Sequence, residues 1–194
     1  MDAHKLQLKL FAEPQAGLAL EAFIPVFHRW IKERVLTDDT LVDVANYAHV
    51  PEGPGVVLIG HGADYFMEEG GGRLGLLYNR KRAESAPDER LSDLFRHAIQ
   101  GALLLQREPM LGLKFRSDEW LFRINDRLQA PNTEETWASL RPELEAFCAR
   151  VFEGATVELT SVGQPRQLLS VKIAVQPAPA LAAVLERAGG APKA

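Results

Sequence analysis

From Leu41 to Arg82 the chain reads LVDVANYAHVPEGPGVVLIGHGADYFMEEGGGRLGLLYNRKR, a series of strand-like runs separated by turn signals. Strands grouped in this way, with long helices only before and after them, predict an α+β fold and a largely antiparallel sheet. Leu41 to Ala45 reads as a short strand, and Pro51-Glu52-Gly53-Pro54-Gly55 as an irregular loop. Val56-Val57-Leu58-Ile59 is apolar on both faces, which predicts a covered strand, central in its sheet. Ala63 to Glu68 and Arg73 to Tyr78 flank Glu69-Gly70-Gly71-Gly72, a hairpin turn in which glycine supplies positive φ.

Outside this segment the periodicity alternates between strand and helix. Lys5 to Leu10 places Leu6, Leu8 and Leu10 on one face and Lys5, Gln7 and Lys9 on the other, a half-buried strand. Leu20, Phe23, Ile24, Phe27, Trp30 and Ile31 follow helical spacing, with Pro25 suited only to the first turn. A second helix follows Ser85-Ala86-Pro87-Asp88 and ends near Glu108-Pro109. Leu113 to Arg116 and Trp120 to Ile124 read as two strands of a hairpin about Ser117-Asp118. The third helix follows Pro131-Asn132-Thr133, is bent or divided at Pro142 and stops at Gly154. Thr156 to Val162 and Leu168 to Val175 form the last strand pair. The expected order is β-α-β-β-β-α-β-β-α-β-β, a largely antiparallel mixed sheet with three main helices packed on one face. Residues 1–176 make one domain, and 177–194 add a short helix at Ala180 to Arg187 and a frayed tail.

Composition narrows the function classes. The 194 residues are 46% hydrophobic, enough for one core, and carry a net charge of -4. That charge gives no global field for a phosphate backbone, so nucleic acid is not an expected partner. The start MDAHKLQLKLFAE lacks the basic and apolar regions of a secretory signal, and no apolar run approaches membrane-spanning length. The lone Cys148 excludes an internal disulfide and zinc-ribbon spacing. These features predict a cytoplasmic protein.

Two groups of candidate site residues emerge. His49 and His61 bracket the Pro/Gly loop and the apolar run, and with Asp64, and Asp43 nearby, they offer nitrogen and oxygen ligands for a metal or an acid/base pair. His61 lies between Gly60 and Gly62, where missing Cβ atoms permit a close approach. Tyr78, Arg80 and Arg82, beside the glycine turn, could line a pocket for a small anion. His28 falls at the boundary of its apolar stripe, His97 on the polar flank of the second helix, and Cys148 on the buried face of the third. The glycine triplet lacks the Lys-Ser/Thr and following helix of a phosphate loop. Trp120 and Phe122 share a strand face that would form a dimer or ligand surface if no helix covered it.

Phe27-His28-Arg29-Trp30-Ile31, with Asp43 to Pro51 and Gly53 to His61, resembles an uncharacterised bacterial protein family of unassigned function over residues 27–61. The resemblance implies a bacterial protein and no activity, cofactor or site residue. With no strong catalytic motif, the first expectation is a binding or accessory protein without catalysis, acting through protein-protein contacts and self-associating by a strand edge or an apolar sheet face. The alternatives are a metal-assisted or His/Asp acid-base enzyme at residues 49–64, and a binding protein for a small anionic ligand. The sequence names no cofactor.

Overall fold

A computed structural model describes residues 3–14, 17–51, 53–82 and 85–190. The strands are β1 (Leu6–Ala12), β2 (Leu41–Tyr47), β3 (Gly55–Gly60), β4 (Ala63–Glu68), β5 (Gly75–Arg80), β6 (Phe115–Ile124), β7 (Thr156–Val162) and β8 (Leu169–Gln176). The helices are α1 (Phe23–Glu33), α2 (Arg90–Gln106), α3 (Glu134–Val151) and α4 (Leu181–Arg187). All eight strands join one sheet in the order β2-β3-β4-β5-β1-β6-β8-β7. Every pairing is antiparallel. The α+β class holds, and among the described residues no strand pair is parallel, so the sheet is antiparallel where a mixed one was expected.

Three details differ from expectation. Four strands, one more than the expected order counted, lie between α1 and α2. The stretch expected to form a hairpin about Ser117-Asp118 is the single ten-residue strand β6. Asp118 accepts two hydrogen bonds from Arg116 along that strand, at 2.9 and 2.6 Å, so the polar pair decorates a continuing strand. Finally, β3 lies second from an edge, while β5 and β1 hold the centre. Its apolar run is covered by lateral neighbours such as Phe66 on one face and by helices on the other.

The main core lies between the sheet and the helices. Leu6, Leu8 and Leu10 align with Arg80, Tyr78 and Leu76 of β5 and with Ile124, Phe122 and Trp120 of β6. Helix α2 covers β1 and β5, α1 covers β2 and β3, α3 reaches β7, and α4 packs on α2 and α3. Trp120 and Phe122 are therefore enclosed, Trp120 stacking on Phe95 at 5.6 Å. Pro25 lies in the first turn of α1 as expected, whereas Pro142 does not divide α3, which runs as one helix from a Thr133 cap that accepts from the Thr136 backbone N–H. Gly71 and Gly72 adopt φ of 67° and 70°, as the glycine turn requires. No helix among the described residues is long and apolar enough to cross a membrane. The tail beyond Gly190 lies outside the described residues.

The opposite, helix-free face was expected to be solvated on β1. Instead Gln7 and Lys9 are buried, Lys9 to 1% exposure. Residues 70–73 close over Lys9, whose Nζ donates to the Arg73 carbonyl at 2.8 Å and pairs with Glu68 at 2.6 Å. A polar residue at a central strand position can be buried when the next connection folds back over it.

Candidate functional site

The sheet's helix-covered face opens at one end into a cleft of about 670 Å³. Its walls are the start of β4, the end of β5, the turn at Leu36–Asp39, the polar side of α2 and the end of α4. The residues after β3 set its rim. The Asp39 carboxylate accepts from the backbone N–H groups of Thr40, Gly62 and Ala63 at 2.7, 2.9 and 2.9 Å. A Cβ at Gly60 would stand 2.5 Å from Asp39 Oδ2 and from the Ala63 carbonyl. Gly60 thus admits a carboxylate from this same chain, which ties two turns together.

Within the cleft the aromatic floor is buried. Tyr65 and Tyr78 lie 5.0 Å apart between ring centroids, and burial raises the pKa of both phenols. They remain protonated donors. Tyr78 also stacks on His97 at 5.8 Å. The His97 Nδ1 lies 2.8 Å from the Asp93 carbonyl, which can only accept, so Nδ1 carries the proton and Nε2 keeps its lone pair. Burial lowers the His97 pKa below 6.5, opposed by its hydrogen bond to Asp93, and the ring is neutral at pH 7.

Arg80 is the least compensated charge in the cleft. It is 5% exposed and, among the described residues, donates to neutral acceptors: the His4 carbonyl at 3.3 Å, the Arg90 carbonyl at 3.2 Å and Ser85 Oγ at 3.4 Å. Its Nη2 has no partner, and no carboxylate among the described residues forms an ion pair with it. Burial lowers its pKa, with Tyr78 and Asp93 opposing, but a guanidinium stays charged. Two further buried atoms in the lining lack partners, Arg96 Nε and Gln100 Oε1. Arg96 is otherwise held by Asp93.

The first candidate group is dispersed. His49 lies exposed in the β2–β3 turn and His61 at the other end of β3, separated by about 17 Å of extended strand. Asp64 sits on the helix-free face, paired with Lys81 at 2.6 Å. Asp43 shares that face on β2, opposite Ile59. His61 Nε2 lies 3.0 Å from Arg82 Nη1, and since a guanidinium only donates, its lone pair is engaged. No group of three or more His, Cys, Asp or Glu among the described residues could hold a metal ion. The second group does converge: Tyr78, Arg80 and Arg82 all line the cleft, though at the end of β5 remote from the glycine turn.

The sequence placed His97 on a polar flank without assigning it a role, and did not single out Arg96 or Gln100. Asp93, Arg96, His97 and Gln100 repeat at intervals of three and four, a polar stripe bordering the apolar face of α2. That stripe is a usable signal for a helix flank facing a cleft. Cys148 is buried as expected, and burial pushes its thiol up to about 12, an inert setting. The chain matches none of the protein-family models, curated proteins or solved structures compared with it.

Proposed function

We propose that this chain is a cytosolic binding protein for a small organic anion, held without chemical change in the cleft by Arg80 and Arg82. The observation that carries this reading is Arg80, a buried guanidinium with a free Nη2 and no carboxylate partner among the described residues. Leaving a charge buried and unpaired is costly, and an anion entering the cleft offsets that cost with charge-assisted hydrogen bonds. Asp38, Asp39, Glu89, Asp93 and Glu186 also line the cleft and balance its arginines, which favours a single anionic group over a polyanion. The unpartnered Gln100 Oε1 favours a ligand that also carries a hydroxyl or amine donor. Hydroxy acids and amino acids fit this description.

Calorimetric titration of the chain with a panel of such acids tests the proposal. One or more is expected to bind, to weaken about tenfold or more in Arg80→Gln, and to be recovered unchanged. Binding that is absent across the panel, or indifferent to Arg80→Gln, rejects it.

A second reading, self-association through a strand edge, is favoured by β2. This outer strand exposes Val42 and Tyr47, at 61% and 45%. A molecular mass in solution that stays at 21.5 kDa across a hundredfold dilution series from high concentration rejects it.

A further inference from the structure

On the helix-free face, at the end of β6 and beneath the β7–β8 turn, lies a second cleft of about 590 Å³. Its polar lining contains Arg123, Arg127 and Arg166 with Asn125, Gln167 and Ser170, and no acidic residue. Other cations of this face are paired: Lys9 meets Glu68, Lys81 meets Asp64, and Arg73 and Lys172 share Glu119, while the exposed Lys5 is solvated. Arg123, Arg127 and Arg166 meet none among the described residues. Arg123 is half-buried, and Gln7, its register neighbour on β1, keeps Oε1 without a partner. The Arg123 donors are thus not used by that neighbouring acceptor.

The rim of this cleft is already organised. Arg127 Nη1 donates to the Arg166 carbonyl at 3.0 Å, joining the end of β6 to the β7–β8 turn. The turn is held internally by Gln164 N–H donating to Gln167 Oε1 at 2.8 Å, and from outside by Asn132 donating to the Gln164 carbonyl at 3.0 Å. Leu121, Val162 and Leu168 supply an apolar wall beside the arginines.

We propose that this cleft is a binding site for the phosphate group of a small organic phosphate. Three guanidiniums that form no ion pair among the described residues, Arg123 feeling Glu68 only at longer range, match a dianion with many acceptor oxygens better than a carboxylate with one charge. The volume exceeds what a phosphate fills, and the apolar wall suits the carbon portion of the ligand. The site is independent of the Arg80 cleft, on the other face of the sheet.

Calorimetry with two matched probes, phenyl phosphate and phenylacetate, tests the assignment on the full chain. Phenyl phosphate is expected to bind at least about tenfold more tightly than phenylacetate, a difference of about 1.4 kcal/mol. Arg123→Gln and, separately, the exposed Arg166→Gln are each expected to weaken phenyl phosphate by about tenfold. Circular dichroism and the unfolding midpoint establish that each variant is folded, and Arg166, lying in the turn, provides the arm least exposed to misfolding. Equal affinity for the two probes, binding indifferent to both variants, or binding lost in Arg80→Gln in their place overturns the proposal.

Discussion

The two faces of the sheet bury side chains by different means. On the helix-covered face Leu8, Phe122, Trp120 and their neighbours are enclosed by apolar and aromatic side chains from α2 and α3, such as Phe95 and Phe147. On the helix-free face the strands themselves and residues 70–73 do the covering, and what they enclose at Lys9 is charged. Apolar burial loses stability with any substitute of smaller volume, whereas a buried ion pair can be exchanged for neutral groups if both partners change together. The faces should therefore differ less in how much one substitution costs than in whether a second can repair it.

Two substitutions test that difference at the largest scale. Phe122→Ala, at 0% exposure, is expected to cost about 3–5 kcal/mol of unfolding free energy in denaturant titration. Lys9→Met should cost a similar amount, about 3–5 kcal/mol, because Glu68 is left buried with an uncompensated charge. The contrast appears on adding Glu68→Gln to Lys9→Met, which should recover most of the loss. If the double variant is no more stable than Lys9→Met, the charged face does not work as a pair and the comparison fails.

This difference also explains what the sequence made legible. Leu6, Leu8 and Leu10 announced a strand and its core face, and the Leu20 to Ile31 spacing announced α1, because period alone encodes which side is apolar. The burial of Gln7 and Lys9 was not legible. It depends on β1 lying between β5 and β6 and on residues 70–73 crossing over it, which no local pattern specifies. Gly60 was rightly marked as a place where a missing Cβ permits close approach, whereas a Cβ at Gly62 would make only ordinary contact; the approaching group, Asp39, comes from a turn more than twenty residues earlier. Tyr78, Arg80 and Arg82 were legible as a group because they follow one another on and just past one strand. His97 was correctly placed on a polar flank, yet only the sheet beneath it turns that flank into the wall of a cleft.

His97 supplies the next, smaller test, at the wet end of the otherwise apolar face. Its pKa is lowered in the folded protein, chiefly by burial, from the ordinary value of 6.5. As pH falls through 6.5 the unfolded chain takes up the proton first, so the unfolded state binds more protons and stability declines. The contribution is fully present above that value and is lost as pH falls through the lowered folded pKa. Denaturation midpoints between pH 7.5 and 5.5 are expected to fall in the parent protein and to flatten in His97→Gln. An equal slope in both places the pH dependence elsewhere.

The smallest effect isolates environment from chemistry. Arg141 and Glu145 form a pair at 2.7 Å, an i,i+4 contact on the outside of α3, with side chains 56% and 49% exposed. Its donor and acceptor lie as close as those of Lys9 and Glu68, yet water already solvates both charges, and removing one leaves the other hydrated. Glu145→Gln should therefore cost only about 0.3–0.5 kcal/mol, and less at high salt. Measured beside Lys9→Met in the same titration series, it separates two pairs of nearly equal length by roughly an order of magnitude in energy. A comparable loss for the two would mean that contact distance, and not the cover provided by residues 70–73, sets the strength of ion pairs in this fold.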